Sequence, residues 1–130
     1  MSLAVSLSSR MAVRLAMTSI LSSTKELLGI PAEVTDFDSR LKIYINSAIG
    51  VLNQIVNGPA TPYQLDSYGG DIEHLIPNDS AMQNIAQMYI YSKVRLEFDP
   101  PSSSAVLTSL QNKIAEYEWR LSDYTVKTSN

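Results

Sequence analysis

The stretch Phe98-Asp99-Pro100-Pro101-Ser102-Ser103-Ser104 constrains the fold more than any other, because it separates two segments that each read as amphipathic helix. Proline lacks the amide hydrogen, its ring collides with the preceding turn, and it pushes the residue before it out of the helical region. The helix on the N-terminal side must therefore stop near Asp99. Pro101 fits the last loop position or first turn of a new helix, and Ser102 to Ser104 offer hydroxyls to its free amides. Helices joined this tightly lie against each other as a hairpin or at a sharp angle. Phe98, Asp99, Pro100 and Pro101 are thus expected to form a hinge, with Phe98 buried at the junction and both prolines outside regular helix.

The rest of the chain is punctuated in the same way. Ser23-Thr24-Lys25-Glu26 has the form of a capping box and predicts the start of a short helix, which Gly29-Ile30-Pro31 should end. Thr35-Asp36-Phe37-Asp38 predicts a second helix start, with the acids placed to favour the helix dipole. Phe37, Leu41, Tyr44, Ile45, Ala48, Ile49, Leu52, Ile55 and Val56 then recur at three- and four-residue spacing, a broad face to bury. Gly50 interrupts it, either as a tolerated loss or to let a neighbouring helix approach closely.

Gly58-Pro59 ends that helix and opens a long connection to Pro77. Within it Tyr63-Gln64-Leu65 and Asp71-Ile72-Glu73 flank Gly69-Gly70 and predict a small hairpin. Connections of this length are uncommon in compact domains unless functional, which makes this one the first candidate contact surface. It is also acidic: no Lys or Arg falls between Lys42 and Lys93, while Asp66, Asp71, Glu73 and Asp79 do. Pro77-Asn78-Asp79 caps a third helix that runs to about Phe98, with Met82, Ile85, Met88, Tyr89, Ile90, Ser92, Val94 and Leu96 on more faces than one core should cover. A fourth helix, from about Ser103 to Leu121, aligns Leu107, Leu110, Ile114, Tyr117 and Leu121 in one stripe suited to antiparallel packing.

Composition excludes several classes of function. A net charge of -3 argues against a protein whose main task is to neutralise phosphates. Without cysteine there is no disulfide, thiolate metal site or cysteine nucleophile, and His74 is the single histidine. His74 reads as a surface loop residue. Gly69-Gly70 lacks the Lys-Ser/Thr of a phosphate loop, and Asp36 with Asp38 read as caps. No catalytic, cofactor-binding or metal-binding residue is assigned, and no enzyme is expected. No apolar run approaches the length of a membrane span.

The first residues carry Arg10 and Arg14 with no acid, a balance shared with transit peptides. Met11 and Met17 are both possible starts, so residues 1–16 are read instead as an N-terminal extension, disordered or non-native. Residues 17–124 form the single helical domain, and residues 125–130 a frayed tail.

The ordered set Tyr89-Ile90-Tyr91-Ser92-Lys93-Val94-Arg95-Leu96-Glu97-Phe98-Asp99-Pro100-Pro101, the serine-rich cap, and Glu118-Trp119-Arg120-Leu121 closely resembles the head-tail connector (adaptor) proteins of long-tailed bacteriophages. Leu27-Leu28-Gly29-Ile30, Asp36-Phe37-Asp38, Ile45-Asn46-Ser47, Leu52-Asn53-Gln54 and Gly58-Pro59 fall in the family's order. The resemblance covers roughly residues 18–124. It implies a structural virion component, made in the bacterial host cytoplasm, that assembles as a homo-oligomeric ring, usually of twelve copies, beneath the portal protein. There it would extend the DNA channel without sequence-specific binding and dock the next connector or tail protein.

We therefore read the chain as mainly α: a bundle of about four helices with a small β-hairpin or irregular insertion. Tyr63, Leu65, Tyr68 and Ile72 on the long connection, with Trp119 and Arg120 on the fourth helix, are the candidate oligomer or partner interface, since Trp and Arg are frequent anchors. The rival is a small nucleic-acid-binding regulator with a helix-turn-helix-like bundle. Against it, the fourth helix opens with Ser102 to Leu110 and carries its first base at Lys113, whereas recognition helices place basic or amide side chains near their N-termini.

Overall fold

A computed structural model describes residues 19–56 and 70–124. They form α1 (Ile20–Leu28), α2 (Asp38–Ile55), the single turn α3 (Ile72–Leu75), α4 (Ser80–Phe98) and α5 (Ser104–Ser122). Expectations about residues 1–18, 57–69 and 125–130, including Tyr63, Leu65 and Tyr68, lie outside the described residues.

The helix ends show how local chemistry sets the frame. α1 begins earlier than the Ser23 capping box predicts: Ser19 is the N-cap and its hydroxyl accepts from the Ser22 amide at 3.0 Å. Thr24 lies inside the helix, buried, and donates its hydroxyl to the Ile20 carbonyl at 2.8 Å. The expected stop is found. Gly29 takes φ 80°, its amide donates to the Glu26 carbonyl, and the Ile30 amide donates to the Lys25 carbonyl at 2.9 Å. This paired arrangement needs a residue that enters the left-handed region without a Cβ penalty.

α2 starts at Asp38, later than its acids predict, with Phe37 as a cap that offers no side-chain acceptor. Asp38 is engaged elsewhere: Lys25 reaches across from α1, its Nζ 2.9 Å from the carboxylate. The same Nζ donates to the Ala32 and Val34 carbonyls at 3.1 and 2.7 Å. One cation thus closes α1, the following turn and the start of α2. Gly50 does not mark a close helix approach, because a Cβ placed there would meet nothing within 4 Å.

The second arm of the expected hairpin is a helical turn. Asp71 caps α3 by accepting from the Glu73 amide at 3.0 Å, which commits Ile72 and Glu73 to helix before a strand can form. A single antiparallel bridge pairs Ser19 with Asp71, and the Ile20 amide donates to Gly70 at 2.7 Å. No named strand occurs among the described residues. The Glu73 carboxylate accepts from the Asn78 amide at 3.1 Å and from Gln83, whose amide group also reaches the Ile76 carbonyl at 2.8 Å. α3 is thereby held to the start of α4.

α4 is the centre of the bundle. Asp79 caps it, accepting from Met82 at 3.1 Å, and it packs most extensively on α2 and α5 while also meeting α1 and α3. Neighbouring helices of the same chain cover most of its apolar faces, with Met82, Ile85 and Leu96 packing partly on the core. Tyr89, Ile90 and Val94 are sealed from solvent together with Leu41, Ile45, Ile49 and Leu52 of α2 and Leu121 of α5. The chain breaks after Phe98, where the Asp99 amide donates to Arg95, and resumes behind the Ser103 cap. Pro100 and Pro101 fall between the two helices.

Candidate assembly surface

At the hinge, Phe98 is half-buried rather than enclosed, and its ring meets that of Phe37 edge-on, with centroids 5.4 Å apart and planes at 73°. The hinge end of α4 is thereby tied to the residue preceding α2. Asp99 and Pro100 are exposed and Pro101 half-buried. On the α2 side the junction is closed by this one ring contact, and Phe37 is itself 39% exposed.

Beyond the hinge, α5 turns a narrow stripe inward. Ile114 and Leu121 are buried, Leu110 and Tyr117 pack partly against the core, and Trp119 stands 69% exposed. A residue five positions on from Ile114 and two before Leu121 projects from the opposite side of the helix at 3.6 residues per turn. Arg120 beside it is exposed and reaches Glu116 at 3.3 Å, while Lys113 lies 3.6 Å from the same carboxylate. Ion pairs this exposed contribute a few tenths of a kcal/mol each, so these side chains are held lightly and can exchange partners. Leaving a tryptophan in water forgoes the burial of a large apolar surface, which a partner could restore.

On the inward side, the Tyr89 hydroxyl donates to Glu118 at 3.0 Å. Burial, then that hydrogen bond and the carboxylate's charge, hold the phenol well above its ordinary range. This pair fixes the rotation of α5 on α4 and hence the direction in which Trp119 points. The other candidates are scattered. Ile72 is half-buried against the core through α3, not beside Trp119. His74 is exposed on the same turn.

Sequence reading missed a groove between α1 and α4, lined by Ser23, Glu26, Leu27, Asn84, Gln87 and Met88. Its signal was available in part. Asn84, Gln87 and Met88 recur at helical spacing on a side of α4 away from Tyr89, a polar stripe beside an apolar core. No group of three or more acidic, histidine or cysteine residues able to hold a metal occurs among the described residues. None of their helices is long and apolar enough to cross a membrane.

The family model described as "Phage connector protein" matches residues 20–128. No curated protein and no solved structure matches the chain.

Proposed function

Because this chain belongs to the phage connector protein family, we propose that it works as a ring of copies seated beneath the portal, extending the DNA channel and docking the next connector or tail protein. The family is structural, and its members interact with other virion proteins. The finer reading is geometric. Each copy repeats one contact with its neighbour, and the ring closes when the rotation between copies divides a full turn, twelve copies being the expected number.

The match across residues 20–128 carries this reading, since it spans every helix described. The exposed Trp119 supports it as an interface anchor next to Arg120. We infer that the hinge residues Phe98 to Pro101 set the angle at which α5 presents that face. Tyr63, Leu65, Tyr68 and Ile72 are assigned to a second contact surface on the acidic connection. An acidic segment facing the channel would let DNA slide without adhering, because like charges give no counterion release to drive binding.

DNA affinity measured against salt concentration tests the reading against a nucleic-acid-binding regulator. A connector shows weak binding with a shallow dependence, whereas a regulator that neutralises several phosphates loses affinity steeply as salt rises. A steep slope at sub-micromolar affinity would contradict the assignment.

A further inference from the structure

Building on the ring reading above, we propose that copies join head to tail, the Trp119–Arg120 face of α5 in one copy seating in the groove between α1 and α4 of the next. Two hydrogen bonds place these surfaces on opposite sides of the molecule. Gln87 donates its amide to Thr24 of α1 at 3.1 Å, and Tyr89 donates to Glu118 of α5 at 3.0 Å. Residues two apart on a helix are turned by roughly 200°, so α1 and α5 flank α4 from opposite directions. Surfaces so placed form a heterologous contact, the kind that generates rings.

The groove has the shape and charge to receive this face. Its volume is about 630 Å³, and it continues past Ser23, Asn84 and Gln87 to Asp71 and Glu73. Leu27, 42% exposed, and Met88 supply an apolar floor, and the amides of Asn84 and Gln87 offer acceptors for an indole N–H. Glu26 stands exposed at one end and Asp71 with Glu73 at the other, with no Lys or Arg among the lining residues. The charged neighbours of Trp119 on α5 are Glu116, Arg120 and Asp123, and of these the exposed Arg120 is the cation that can meet an acidic rim. Seated in the groove, Trp119 fills the apolar floor and Arg120 meets Glu26, which fixes the register of the contact.

The chain has no cysteine, so introduced cysteines report the contact without competition. Asn84→Cys in the groove and Ala115→Cys one turn before Trp119 both replace exposed residues. The two variants, each checked for an unchanged melting temperature, are mixed on portal-bearing heads and treated with a short bismaleimide. Cross-links joining position 84 to position 115 are expected, and neither variant should link to itself. Glu26→Arg should lower the yield about five-fold, and adding Arg120→Glu in the same chain should restore it. Self-linking of Ala115→Cys, or heads that take up the protein without an 84–115 link, would overturn the groove contact and leave the connector role standing. Failure of the unaltered protein to join portal-bearing heads would overturn both.

Discussion

The ammonium of Lys25, 5% exposed, lies 2.9 Å from the Asp38 carboxylate and spends its other hydrogens on the carbonyls of Ala32 and Val34. A buried cation beside a carboxylate and two carbonyls is tolerable, and its removal strips Asp38 of its counter-charge and leaves two carbonyls unmatched at once.

Lys25→Met, which keeps the apolar stem and deletes the charge, is therefore expected to destabilise the fold by about 2–3 kcal/mol, less than a fully buried pair because Asp38 is partly open to water. Urea denaturation measures this as a lowered midpoint. An unchanged midpoint would mean that the turn between α1 and α2 is held by its apolar contacts alone.

Alkaline pH should weaken the protein through Tyr89. Its hydroxyl is buried and donates to Glu118, and the folded phenol keeps its proton well beyond the ordinary range. An unfolded tyrosine ionises near about pH 10. Above that point the folded state binds more protons than the unfolded one, so the stability this group contributes is complete below about pH 10 and declines as pH rises toward the folded value. Tyr89→Phe should cost about 1 kcal/mol at neutral pH and flatten the alkaline decline. Equal slopes for both proteins above pH 10 would rule out Tyr89 as the source.

Two glycines should respond to alanine in opposite senses. Gly50 sits inside α2 with open space where a Cβ would stand, so Gly50→Ala should stabilise by about 0.5–1 kcal/mol. Gly29 holds φ 80° at the end of α1, so Gly29→Ala should destabilise by about 1 kcal/mol. Thermal melts of the two variants decide the matter, and a lower melting temperature for Gly50→Ala would point to a partner packed on that position.

Trp119→Ala should leave the melting temperature within about 1–2 degrees of the parent, because an exposed side chain gives little to the core. Its ability to join portal-bearing heads should fall sharply. A drop in melting temperature with assembly intact would return Trp119 to a structural role.

Where a cap or a stop is encoded by one side chain or one backbone constraint, sequence reading located it. Asp79, Ser103, Gly29 and the Pro100-Pro101 break each act within three or four residues of themselves, so no tertiary knowledge is needed. Ser23-Thr24-Lys25-Glu26 misled because Ser19, with the same capping chemistry, lies four residues earlier, and the choice between them was made by the pairing of residues 19 and 20 with 70 and 71. The hairpin failed for a similar reason: Asp71 serves as well for a helical cap as for a strand end. Burial of Lys25 was not legible, since its partners are backbone carbonyls and a carboxylate brought in by the following turn. The outward position of Trp119 was readable from periodicity. The groove opposite it was not, because it exists only once α1 is laid on α4.

The most direct test of the connector account is the solution mass of the protein by light scattering, alone and with a portal ring added. Adding the portal should produce one new species whose extra mass equals a closed set of copies matching the portal's symmetry, with twelve expected. A mixture whose scattering is the sum of free protein and free portal would contradict it.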